Sequence, residues 1–167
     1  MRLPKRVVPI CAALATVMLG APHGASAQVD LCEGAERYLR EVMGMVAIAE
    51  PDTIDDWRTH KMVPGCRVTA AVSVAAPARD YAKVLYEPIM NYGWVRTPDP
   101  RDAPQEASMR YRKDGADCLF NYYDSATSLN TEAEMLVTDA VHRGPGQEIF
   151  NVLVMCTPAA PADPRGG

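Results

Sequence analysis

The sequence predicts an α+β domain: a mostly antiparallel sheet of about five strands, helices packed on one face, and two disulfides. Three observations carry that expectation. Apolar stripes of helical spacing alternate with runs of period two, the dipeptide Asp114-Gly115 separates two such runs, and four cysteines follow a leader-like start. A hairpin forces antiparallel pairing, and helices laid on one face of such a sheet bury the apolar sides of both.

The start of the chain is read first because it sets the compartment. Arg2, Lys5 and Arg6 precede an apolar run from Val7 to Leu19, and Ala25-Ser26-Ala27 stands before Gln28. That order of charged, apolar and small residues is a secretory signal peptide, so residues 1–27 are expected to be cleaved. The apolar run is shorter than the roughly 20 residues needed to span a bilayer, and Pro9 interrupts it. Cys11 lies at the start of that run and leaves with it.

Residues 28–157 then read as a single α+β domain, and residues 158–167, rich in proline and glycine, as a disordered tail. The leader holds three of the 17 basic residues and none of the 21 acidic ones, so its removal moves the net charge from −4 to −7. An acidic chain without a basic stripe disfavours nucleic acid as a partner. No stretch after the leader is long and apolar enough for a membrane span.

Cys32, Cys66, Cys118 and Cys156 form an even set in a chain expected to enter an oxidising compartment, which predicts disulfides. Their wide spacing lacks the clustering of a zinc site. The favoured pairing is Cys32 with Cys66 and Cys118 with Cys156. Each bridge closes a loop long enough to contribute about 4 kcal/mol in the chain-entropy picture.

Along the chain, Asp30 and Glu33 are spaced as a capping box, and Leu31, Ala35, Leu39, Val42, Met43 and Val46 recur at helical spacing. A first helix over 31–48 follows, then a loop over 50–65 in which Trp57 docks on the core. Val68, Ala70, Val72 and Val74 alternate with Arg67, Thr69, Ala71 and Ser73, which predicts a strand with one buried face. Pro77 opens a second helix carrying Tyr81, Val84, Leu85, Ile89 and Tyr92 on one stripe. Pro88 should bend it, and Gly93 should close it in a left-handed conformation. Trp94 and Val95 begin a short strand ended by Pro98 and Pro100.

The Asp114-Gly115 turn pairs Lys113 with Ala116, Arg112 with Asp117, Tyr111 with Cys118, Arg110 with Leu119, and Met109 with Phe120. One face collects Met109, Tyr111, Cys118, Phe120 and Tyr122. The other collects Arg110, Arg112, Asp117, Asn121 and Tyr123, with Arg112 and Asp117 as a cross-strand charge pair. Thr131 and Glu134 are spaced as a second capping box, so a third helix, favoured over the alternative of a strand, is expected near residues 131–142. Ile149 to Met155 reads as a central strand.

Candidate chemistry is sparse. Asp139 and His142 stand three apart on the third helix and could form an acid–base pair. Asp52, Asp55, Asp56 and His60 are a possible metal set, but a calcium loop needs alternating ligands and a glycine that this segment lacks. The sequence contains no G-x-S-x-G elbow, phosphate-cradling glycine loop or C-x-x-C-H motif. No catalytic residue, cofactor or metal ligand is therefore assigned.

Arg110, Arg112, Asn121 and Tyr123 are the candidate binding face, since arginine and tyrosine side chains on an open sheet face suit docking. The functional expectation is an exported periplasmic or secreted binding protein whose partner is a protein or an envelope component. An inhibitor or immunity protein belongs to this class. The competing reading is a small extracytoplasmic hydrolase with an unrecognised site.

Overall fold

Asp114 and Gly115 both take positive φ angles, 50° and 79°, the conformation that lets a two-residue turn follow the twist of its strands. The turn joins β4 (Ser108–Lys113) to β5 (Ala116–Tyr123) in the expected register, from Lys113 opposite Ala116 to Met109 opposite Phe120. A computed structural model of the chain describes residues 28–56, 58–75, 77–97, 108–123 and 129–161. The expected leader, the Trp57 plug, Pro98 and Pro100, and residues 162–167 of the expected tail lie outside that set.

The fold is α+β, with a six-stranded antiparallel sheet. In chain order the strands are β1 (Val46–Asp56), β2 (Lys61–Ala75), β3 (Val95–Arg96), β4, β5 and β6 (Gln147–Pro158). Across the sheet they run β1-β2-β6-β5-β4-β3. Helix α1 (Glu33–Arg37) continues as a wider π turn over Tyr38–Val42. Helix α2 (Tyr81–Tyr86) lies between 3-10 turns at Ala78–Asp80 and Ile89–Tyr92, and α3 is Glu132–Ala140. Among the described residues no helix is long and apolar enough to cross a membrane.

Both expected disulfides are present, Cys32–Cys66 and Cys118–Cys156, and all four cysteines are fully buried. They mark one face of the sheet. On it Val68, Ala70, Phe120, Phe150, Val152 and Val154 meet Leu39 from the first helical segment and Leu85 and Ile89 from the second. Phe120 sits in an aromatic ring, its centroid 5.3 Å from Trp94, 5.9 Å from Tyr111 and 6.4 Å from Tyr38. Edge-to-face rings at these distances hold one another's orientation beyond what area burial supplies.

Several elements differ from expectation, each for a local reason. The first helix ends at Val42, not 48, because Gly44 at φ 64° turns the chain out of the helix. Residues 46–56, seven of the eleven expected in a loop, form β1 instead and raise the strand number to six, and residues 61–65 of the same expected loop belong to β2. Pro51 is compatible with it because β1 is an edge strand paired with β2 alone, and a proline without an N–H fits an edge. Asp30 does not cap α1: residues 28–30 are themselves helical, Cys32 is the residue before Glu33, and no side chain bonds there.

Pro88 interrupts the second helix as expected, and Gly93 closes the segment at φ 81°. The break spoils the long stripe, so Leu85 and Ile89 are buried whereas Val84 and Tyr92 are 49% and 46% exposed. The second capping box forms, with Thr131 Oγ1 accepting from the Glu134 N–H at 3.2 Å. Its helix, α3, packs against β2 and β1 on the face opposite the disulfides, so the helices are not all on one side. Ala133 and Val137 cover that face, and Thr69 and Ala71 of β2 are buried there where solvent was expected.

Candidate functional site

The register defines what the face opposite the disulfides carries. Arg67, Met155, Leu119 and Arg110 form one row across β2, β6, β5 and β4, and Thr69, Leu153, Asn121 and Ser108 form the next. Toward α3 lie Ala71, Asn151 and Tyr123, and at the other end Thr157, Asp117 and Arg112. Helix α3 closes the first end and an ion network closes the second. Leu153 and Met155 between them are half-buried.

The network is built on the hairpin. Arg112 Nε donates to Asp117 Oδ1 at 2.6 Å and its Nη2 to Oδ2 at 2.9 Å, the two-pronged match of guanidinium to carboxylate. Arg58, from the turn between β1 and β2, adds Nη1 to Asp117 Oδ2 at 2.9 Å and Nε to Asp56 Oδ1 at 2.9 Å. Thr59 Oγ1 donates to Asp56 Oδ2 at 3.2 Å. The chain after β6 joins as well: Ala160 N donates to Asp117 Oδ2 at 3.0 Å, and Ala160 O accepts from Arg112 Nη2 at 2.8 Å. Residues 159 and 160, expected in a solvated tail, are thus bonded to the hairpin; Ala159 N also reaches Gly115 O.

Burial alone pushes the Asp117 carboxyl up, but hydrogen bonds from Arg112 and Arg58 outweigh it and hold the group below its ordinary range. Asp56 is likewise lowered, burial being overcome chiefly by Arg58. Arg58, whose charge burial disfavours, is held more firmly protonated by Asp56 and Asp117. Two guanidinium groups and two carboxylates stay ionised and balance in charge. Such a set is suited to locking the β1–β2 turn, the hairpin and the end of β6 together, not to exchanging protons near neutral pH.

The four residues of the expected binding face do share this side of the sheet, but they differ in access. Arg110 is only 3% exposed, so the face is not open at that point. Alternation along β4 assigns a side chain to a face; it does not say whether the face is covered. Arg112 remains 39% exposed while bound to Asp117. The Asn121 side chain bonds Ser108 Oγ and donates to Leu119 O and Leu153 O. Tyr123 donates to Glu134 Oε1 at 2.8 Å; burial first, then the Glu134 carboxylate, pushes its phenol up.

The other candidates stay apart. Asp139 lies in the last turn of α3, which ends at Ala140, and Val141 is extended, so His142 is not on the helical face the pairing needed. Asp55 points to the opposite face of β1 from Asp52 and Asp56. Asp52 faces Arg67 at 3.6 Å, Asp56 belongs to Arg58, and His60 is exposed in the turn at φ 54°. Among the described residues the group dense enough in metal-donor atoms is Cys32, Cys66 and Cys156, all engaged in disulfides.

Arg58 and Glu134 are the residues that sequence reasoning missed. Arg58 meets Asp117 across 59 positions, which no spacing rule connects. Glu134 was legible as a cap, but its second oxygen serves Tyr123. Comparison with protein-family models, curated proteins and solved structures finds no match to this chain.

Proposed function

We propose that this chain is an exported binding protein, acting in the periplasm or outside the cell, that docks a partner protein on the sheet face between α3 and the Arg58 network. Two fully buried disulfides support the compartment, since such bonds persist where the surroundings are oxidising. The observation that carries the docking face is its middle. Leu153 and Met155, partly exposed aliphatic side chains, lie at the centre of a rim made by Arg67, Arg112, Asn121 and Tyr123. An aliphatic centre with an arginine, asparagine and tyrosine rim is the pattern of protein interfaces, and a protein surface suits it better than another envelope component. Inhibitors and immunity proteins work through faces of this kind.

Photo-crosslinking tests this reading. With p-benzoylphenylalanine in place of Met155, oxidised protein incubated with envelope extract should give a discrete protein adduct. Leu153→Glu should abolish that adduct while Lys83→Glu, on the helix side, leaves it intact. No adduct from any extract, or an adduct indifferent to Leu153→Glu, would remove the face from consideration.

A further inference from the structure

Cys156 stands directly opposite Cys66 on one neighbouring strand and directly opposite Cys118 on the other. Three adjacent central strands thus place cysteines in one row, and Cys32 reaches that row from the residue before α1. The Sγ atoms of Cys32, Cys66 and Cys156 all lie within 4.8 Å of one another. Two independent staples would not need to touch. Here the two disulfides lie side by side in a fully buried layer, and Cys156 is within reach of a second partner besides the one it holds.

We propose that the four cysteines form one exchange-competent relay with Cys156 as the shared sulfur. The relay starts when a small thiol, in the chemical class of glutathione, attacks Cys32. Cys32 is the end that lies outside the sheet: fully buried itself, it adjoins exposed Glu33 at the start of the helical segment 33–42, so a local opening of that segment would uncover it without parting the sheet. The attacking thiolate forms a mixed disulfide on Cys32 Sγ, and the Cys32–Cys66 bond breaks with its electron pair on Cys66.

The Cys66 thiolate then attacks Cys156 Sγ. A Cys66–Cys156 bond forms, the Cys118–Cys156 bond breaks, and the electron pair leaves on Cys118, which takes up a proton. The second step is redox-neutral. It moves the free thiol from the helix side of β2 to the β4–β5 hairpin while a bridge across the central strands is retained. Reduction sensed at α1 is thereby delivered to the strand that carries Asp117 and Asn121.

Peptide mapping reads this directly, because trypsin places each cysteine on its own peptide, with Cys66 in 62–67, Cys118 in 114–143 and Cys156 in 144–165. In the Cys32→Ser variant, acid-quenched and alkylated, the expected product is a linked 62–67/144–165 pair with the alkyl label on Cys118. A variant holding only the 114–143/144–165 pair, with all the label on Cys66, would overturn the relay. If that variant does not fold, the wild-type chain treated with limiting reduced glutathione serves instead. Singly opened molecules should then carry glutathione or label on Cys32 together with label on Cys118. Opening confined to Cys32 and Cys66, with Cys118–Cys156 intact throughout, would refute the proposal equally well.

Discussion

Arg58 and Asp117 meet at 2.9 Å across 59 positions of chain, with side chains 7% and 0% exposed. Such a pair contributes little net stability compared with an apolar pair of the same shape, yet removing Asp117 takes from Arg58 one of the two carboxylates that balance it and from Arg112 its two-pronged partner. Asp117→Ala should therefore destabilise the fold by about 3–5 kcal/mol in urea or guanidinium unfolding. Arg112→Ala should cost clearly less, since Arg112 is partly solvated and Asp117 keeps Arg58. Equal losses from the two changes would mean that Arg58 does not hold Asp117 once Arg112 is gone.

The same network sets the acid limit of the fold. Asp117 and Asp56 have folded-state values below their ordinary ones, while in the unfolded chain such groups protonate near about pH 3.9. Between those values the unfolded chain binds more protons, so stability falls as the pH falls. Their contribution is complete above about pH 5 and is lost progressively in the more acidic range. Melting temperature followed from neutral to acid pH should decline most steeply there, and Asp117→Asn should flatten the decline.

A glycine contrast tests the packing at the row of cysteines. A Cβ on Gly65 would clash with the Cys156 carbonyl oxygen, a backbone atom that a side-chain adjustment cannot move. Gly65→Ala should destabilise by about 1–3 kcal/mol or more through forced separation of β2 and β6. A Cβ on Gly34, in α1, would meet Trp94 at an ordinary 3.5 Å, and alanine favours the helix. Gly34→Ala should be neutral or stabilise by up to about 1 kcal/mol. The melting temperature should fall for Gly65→Ala and stay level or rise for Gly34→Ala.

Three tyrosines should resist ionisation until the fold opens in alkali. Burial pushes the phenols of Tyr38 and Tyr86 well above their ordinary value, with neighbouring tyrosines adding to it, and Tyr123 is raised by burial and Glu134. Tyr38 donates to Leu85 O and Tyr86 to Phe120 O. A raised folded-state value means their stabilisation is complete below about pH 10, the unfolded value, and is lost as pH climbs beyond it. Phenolate absorbance should rise for these residues together with loss of near-ultraviolet dichroism, and Tyr123→Phe should remove one such group from the late step.

The hairpin was legible because Asp114-Gly115 combines a turn chemistry with a fixed register, so one local signal determined ten side-chain positions and one disulfide strand. The edge strand β1 was not legible. Pro51, with Pro64 and Gly65 beyond it, read as loop, and only the pairing of β1 with β2 makes sense of them; Gly44, as a helix stop, was the available signal. The face residues were assigned correctly to their side of the sheet, but the burial of Arg110 and the approach of α3 are tertiary facts. A two-residue period carries no information about what lies above it.

The strand order holds a consequence for how the protein comes into being. Of the six described strands, β6 is made last and sits between β2 and β5. As the chain emerges, β1 and β2 can pair, and so can β4 and β5, but each half waits with a bare inner edge until residues 147–158 arrive to join them. Unpaired inner edges are what invite wrong pairing between chains. While the chain is being made the sheet is therefore most vulnerable just before β6 arrives, and a factor that shields the edges of β2 and β5 would matter most in that interval.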